Sequence, residues 1–173
     1  MLKTTTDLML ISIKGSEKLI MNVSYFEQNK NCYIEAECSE IQLNDTFSRQ
    51  NFKDALLSLR KIVEPQGYKI ACNGCLKNVV YSGQLLSSGK GLTAYIVTDI
   101  CKPVDLSQVV RTLNPVDESL WKELATINEQ RAFKKLYTDK AMENADQWAK
   151  EAERKKFAVL DKQKKSSIFN KRN

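Results

Sequence analysis

The chain contains no histidine. That absence removes the side chain most used for proton transfer near neutral pH, His metal sites, and every Ser–His or Cys–His nucleophile pair. Glycine and proline are scarce, at six and three in 173 residues, which excludes collagen-like and low-complexity classes. No apolar run approaches the roughly 18 residues that a membrane span requires. The run nearest the start, Leu8–Ile13, is short, flanked by polar residues and followed by no small-residue cleavage pattern, so no signal peptide is expected. Cysteines number five (Cys32, Cys38, Cys72, Cys75, Cys101), an odd count in a chain too large to need a disulfide scaffold. A soluble, reduced, cytoplasmic protein is the expectation.

What is present is a hydrophobic fraction of 42%, enough for one core, and an uneven charge. The net charge is +6, yet the stretch from Arg154 to Asn173 carries eight basic residues against one acid, Asp161. The rest of the chain is close to neutral. The basic character therefore belongs to a tail, suited either to solvation or to a polyanion such as RNA. Its candidate contacts are Arg154, Lys155, Lys156, Lys162, Lys164 and Lys165.

Leu8–Lys14 and Leu19–Phe26 read as strands joined by a turn at Gly15–Lys18. After a turn signal at Asn29–Asn31, Cys32–Leu43 alternates with Ile34, Ala36 and Cys38 on one face and Glu35, Glu37 and Ser39 on the other. Three such strands make an antiparallel meander. Ser48 is the expected N-cap of a helix whose stripe is Phe52, Ala55, Leu56, Leu59, Ile62 and Val63, stopped by Pro65 and Gly67. Strands are expected at Tyr68–Cys72, Leu76–Tyr81 and Leu92–Thr98, with a flexible loop at Ser82–Gly91 and an ambiguous helix or edge segment at Asp105–Leu113. From Asp117 to about Lys162 the pattern is helical, with phase slips near Arg131 and at Thr138–Asp139. The fold class is α+β: an antiparallel sheet of about five or six strands, one packed helix and a C-terminal helical extension. The expected divisions are a body over 1–115, the extension over 116–163 and a basic tail over 164–173.

Cys72-Asn73-Gly74-Cys75 has the C-x-x-C spacing of zinc knuckles and thiol redox sites. Zinc would need two further ligands, and a redox cysteine favours a helix N-terminus. Asn-Gly is instead a type I′ hairpin signature, so a β-turn flanked by two ordinary cysteines is expected. Ser82–Gly91 has the glycines, serines and lysine of a phosphate cradle but not the P-loop spacing, and it precedes a strand. The pairs Glu35/Glu37 and Glu151/Glu153 suit a solvated face better than acid–base work. No catalytic residue, metal site or cofactor is expected. Trp121, Phe133, Tyr137 and Trp148 read as docking residues, some of them anchors for a partner.

One string carries a likeness: Phe52–Ala55, Leu59-Arg60, Glu64, Gly67, Cys72-Asn73-Gly74, Tyr81-Ser82-Gly83, Gly89, Gly91 and Ala94-Tyr95. It resembles a loose group of small bacterial cytoplasmic proteins with a Cys-Asn-Gly, Ser-Gly-Met, Met-Gly-x-Gly and Ala-Tyr pattern over about a third of the chain. Gln84 and Ser88 stand where that pattern has methionines. In size the group is similar to immunity proteins, which implies a non-catalytic inhibitor of a partner protein, possible toxin domains included. The candidate partner-binding residues are Tyr81, Ser82, Gln84, Lys90, Trp121 and Trp148. The alternative is a nucleic-acid or ribosome-associated protein acting through the tail.

Overall fold

The computed structural model describes residues 2–150, 153 and 154. The chain divides into two compact units, Met1–Thr98 with Val104–Lys135, and Asp99–Pro103 with the chain from Leu136 onward. The fold is α+β, with an antiparallel sheet of five strands in the first unit. These are β1 (Thr4–Ser12), β2 (Lys18–Gln28), β3 (Asn31–Cys38), β4 (Leu43–Arg49) and β5 (Tyr68–Ile70), in the order β4-β3-β2-β1-β5. β1 to β3 form the expected meander, with Leu8 opposite Met21 and Val23 opposite Ala36. Helix α1 (Phe52–Val63) belongs to the same unit.

Alternation decides which side of the sheet is buried. Leu8, Leu10, Met21, Val23, Ile34, Ala36 and Cys38 join Ala55, Leu56, Leu59 and Val63 of α1 in one core. On the other face of the sheet, polar and charged side chains pair with each other: Thr5 with Ser24 at 2.9 Å, and Asn22 donating to Asp7 at 2.9 Å. Glu35 meets Lys3 there, and Glu37 is exposed. Phe26 is buried on this side because it stacks on Tyr33 across the β2–β3 pair, with ring centroids 5.0 Å apart.

Several local expectations are corrected. The run from Cys32 does not continue as one strand to Leu43. It leaves β3 after Cys38, makes a 3-10 turn over Ser39–Ile41, passes through left-handed Gln42 and returns as β4. β4 takes in Ser48, so Ser48 is a strand residue and not the cap of α1. Asn51 is the cap, its side-chain oxygen accepting from the Asp54 N–H at 2.8 Å. The buried face of α1 holds Phe52, Ala55, Leu56, Leu59, Arg60 and Val63, whereas Ile62 is exposed.

Beyond β5 the chain forms a second sheet, order β6-β7-β8, from Val79–Val80, Thr93–Ile96 and Val109–Arg111. Asp105–Leu113 thus supplies an edge strand. Asn73–Cys75 is a 3-10 turn rather than a type I′ hairpin, because its N–H groups are taken from across the fold: Asn73 N–H by Asn114 O at 3.0 Å and Gly74 N–H by Thr112 O at 2.8 Å. Ser82–Gly91 is not wholly a loop. Ser82 caps a one-turn helix, α2 (Gly83–Ser87), by accepting from the Leu85 N–H at 3.2 Å.

The helical stretch from Asp117 is interrupted. A 3-10 segment over Glu118–Glu123 gives way to extended backbone at Leu124 before α3 (Ile127–Glu143) begins. A turn at Asn144 separates α3 from a further helical stretch over 145–150. Residues 116–135 belong to the first unit. The expected helix beyond 154, and the tail lysines with it, lies outside the described residues. In the second unit, the Trp148 indole N–H donates to Cys101 O at 3.0 Å, Tyr137 donates to Lys102 O at 3.4 Å, and the two rings lie 6.2 Å apart. No helix among the described residues is long and apolar enough to cross a membrane.

Candidate functional site

In the first unit, α1, the 79–91 segment and the first turns of α3 enclose a cavity of about 230 Å³. Its wall is apolar, formed mainly by Leu56, Leu57, Val79, Tyr81, Leu86 and Ile127. Four cations complete the lining, Lys53, Arg60, Arg131 and Lys134, and among the described residues no carboxylate does. On α3 the contributing residues are Ile127, Gln130, Arg131 and Lys134, spacings of three and four that define one helix face.

Beneath the cavity lies a buried polar network centred on Arg60, whose side chain is 4% exposed. Its Nε donates to Glu64 Oε1 at 2.7 Å and an outer nitrogen donates to Ala125 O at 2.6 Å. The other outer nitrogen bonds Gln130 Oε1. Gln130 Nε2 donates in turn to Gly74 O at 2.9 Å and Leu76 O at 2.6 Å. Glu64 also accepts from the Ile127 N–H at 2.9 Å, so one carboxylate satisfies both a buried cation and the positive end of α3. A capping box completes this junction: Glu129 accepts from the Thr126 N–H at 2.7 Å, and Thr126 Oγ1 accepts from the Glu129 N–H at 3.3 Å. The Thr126 N–H foremost, with help from Lys69, holds the Glu129 carboxyl down to about 2. α3 is therefore joined to α1 by charge and hydrogen bonds as much as by apolar packing.

Thr112, fully buried, ties Tyr81 of the cavity wall to Gly91. Its hydroxyl donates to Gly91 O at 2.7 Å and receives the Tyr81 hydroxyl at 3.3 Å. Burial pushes the Tyr81 phenol well above its ordinary value. The Gly91 backbone is left-handed (φ +65°), and a Cβ there would stand 3.2 Å from Lys53 Cβ. Gly74 approaches more closely still: a Cβ would stand 2.6 Å from Leu56 Cδ2 and 2.7 Å from Thr112 Cγ2.

Of the partner-binding residues expected from sequence, Tyr81 lines this cavity, and Ser82 and Gln84 lie on the segment that follows it. Ser82 is spent on capping, whereas the Gln84 side chain is exposed. Lys90 borders a neighbouring polar recess of about 520 Å³ that shares Leu86 with the cavity. Its left-handed backbone presents its carbonyl to the Phe52 N–H at 2.7 Å, so Lys90 starts α1. Trp121 does not line either hollow. It packs on the core with Lys18 Nζ 4.4 Å from its ring centroid, and its indole N–H is buried with no hydrogen-bond partner among the described residues. Trp148 belongs to the second unit. Arg154 is exposed and helical, while Lys155, Lys156, Lys162, Lys164 and Lys165 lie outside the described residues.

Sequence reasoning missed Arg60, Gln130, Arg131 and Lys134. A signal for Arg60 existed: it sits four residues after Leu56 and three before Val63, inside the apolar stripe. Among the described residues no group of three or more cysteines and acids is placed to hold a metal ion. No family model matches the chain, and no curated protein matches it either. The likeness noted above rests on its quoted residues, of which Lys53, Arg60, Gly74 and Tyr81 line the cavity.

Proposed function

We propose that the chain is a non-catalytic, cytoplasmic protein-binding module of the bacterial immunity or antitoxin type. It blocks a partner protein by taking one apolar side chain of that partner into the cavity while the partner's flanking carboxylates meet Lys53, Arg131 and Lys134. The observation that carries this reading is an apolar hollow whose lining, among the described residues, holds four cations and no acid. Its volume suits a side chain and falls short of the roughly 300 Å³ at which small-molecule sites begin. The lining groups favour binding over chemistry, since Arg60 is engaged by three acceptors and the Tyr81 phenol is held neutral.

The test is a tagged recovery from the native host at moderate salt. It compares the full chain, a chain ending at Glu153, and the full chain carrying Arg131→Glu with Lys134→Glu, both exposed positions. One protein should be recovered at near-equal stoichiometry by the first two, at least about tenfold less by the third, and the purified chain should abolish that protein's activity at a one-to-one ratio. Equal recovery by the charge-reversed chain overturns the reading. The charge of the tail, eight basic residues to one acid from Arg154 on, supports a second reading as an RNA or ribosome binder. In that case RNA comes down only with the full chain, and its affinity falls steeply with salt.

A further inference from the structure

Cys72 and Cys75 bracket the 3-10 turn with their sulfurs 3.5 Å apart, fully buried beside Arg60. We infer that this pair is a dithiol oxidised to an internal disulfide by small hydroperoxides, with Cys75 the attacking sulfur and Cys72 the resolving one.

The geometry is set by the turn. Asn73 and Gly74 each give a backbone N–H across the fold, and the Asn73 amide donates to Arg111 O at 3.0 Å. Cys75 N–H closes on Cys72 O at 2.9 Å, and Cys75 O accepts the Ala125 N–H at 2.9 Å. The turn cannot swing the sulfurs apart, and they need to close by only about 1.5 Å to reach bonding distance. The two thiols are not equivalent. Burial raises Cys75, but the hydrogen bond from Cys72 and the Arg60 guanidinium outweigh it and hold Cys75 below its ordinary value. The hydrogen bond to Cys75 and burial hold Cys72 well above. The guanidinium beside Cys75 in this C-x-x-C turn favours ionisation of that thiol, and the thiolate is the nucleophilic form of cysteine. Gly74, between them, lines the cavity, so the turn that carries the two sulfurs forms part of the cavity wall.

In the first step the Cys75 thiolate attacks one peroxide oxygen and the O–O bond breaks. The leaving alkoxide or hydroxide takes up a proton as alcohol or water, and Cys75 becomes a sulfenic acid. In the second, Cys72 sulfur attacks Cys75 sulfur, the S–O bond breaks, and the departing hydroxide takes the Cys72 proton as water. Two thiols lose two electrons and the peroxide gains two.

Cys101 is exposed and would form adducts of its own, so the test uses the full chain carrying Cys101→Ser. The protein is treated with hydrogen peroxide, unfolded, alkylated and weighed. The expected result is two fewer alkyl groups than in the untreated protein, a polypeptide itself about 2 Da lighter, and a Cys72–Cys75 linked peptide, with Cys32 and Cys38 alkylated. Alkylation of all four buried thiols overturns the inference, as does oxygen added at Cys75 without a link. A second measurement assigns the roles: with Cys72→Ser, dimedone should label Cys75, and with Cys75→Ser it should leave Cys72 unlabelled. Labelling of Cys72 instead would overturn the assignment.

Discussion

Arg60→Met is the substitution on which the account of the α1–α3 junction stands or falls. Methionine refills most of the volume, so the change tests charge and hydrogen bonding more than packing. Three bonds disappear, to Glu64, Gln130 and Ala125 O. Glu64 keeps the Ile127 N–H, so it is not orphaned, but it loses its counter-charge. Ala125 O, on a residue 2% exposed, is left without its guanidinium partner. Removing one member of a buried pair costs about 3–5 kcal/mol, and an unmet buried acceptor about 1–3 kcal/mol within that. At about 2–4 °C per kcal/mol for a chain of this size, the melting temperature should fall by about 6–20 °C. The assay is urea unfolding of four proteins: wild type, Arg60→Met, Glu64→Gln and the double variant. Glu64→Gln should itself destabilise, because it leaves the guanidinium buried without a carboxylate. The double variant should then recover about 2 kcal/mol relative to the sum of the single losses. Amide exchange should quicken first in the opening turn of α3. A loss below about 1 kcal/mol for Arg60→Met, or strictly additive losses, would show that packing alone holds α3 in place.

Gly74→Ala should cost about 1–3 kcal/mol, because its methyl meets Leu56 and Thr112 at under 3 Å while both are buried. Gly83→Ala, with nothing within 4 Å and a helical setting, should be neutral or stabilise by about 0.4–1 kcal/mol; equal urea midpoints for the two would contradict the stated close approach. Glu129, held at about 2 when folded against 4.5 otherwise, contributes stability that is complete above pH 4.5 and is lost as pH falls toward 2. Stability curves of wild type and Glu129→Gln should therefore converge over that window, and curves that stay parallel would remove the capping box as the cause.

How much of this was readable from residues depended on whether a local pattern or a distant partner decided the structure. The meander was legible because period-two alternation and turn residues are local. α1 was legible for the same reason, yet its start was misplaced by three residues. Ser48 is a good cap in isolation, but β3 recruits it through the Tyr33–Ser48 pairing and leaves Asn51 to cap. The Asn73-Gly74 turn shows the same override. Its dipeptide favours a tight hairpin, whereas carbonyls of Thr112 and Asn114, some forty residues away, take its N–H groups and set a 3-10 turn.

For the site, the decisive residues were hidden by their own type. An arginine in an apolar stripe is ordinarily discounted as a residue whose head reaches solvent. Arg60 cannot do so, because Glu64, Gln130 and Ala125 O surround its guanidinium, and two of those three lie about 65–70 residues further along the chain. The phase slip near Arg131 had a physical origin too: Gln130 turns inward to bond Gly74 and Leu76 carbonyls while Arg131 and Lys134 rim the cavity, so the face of α3 toward α1 is polar. A helix docked by its polar side gives a weak apolar period.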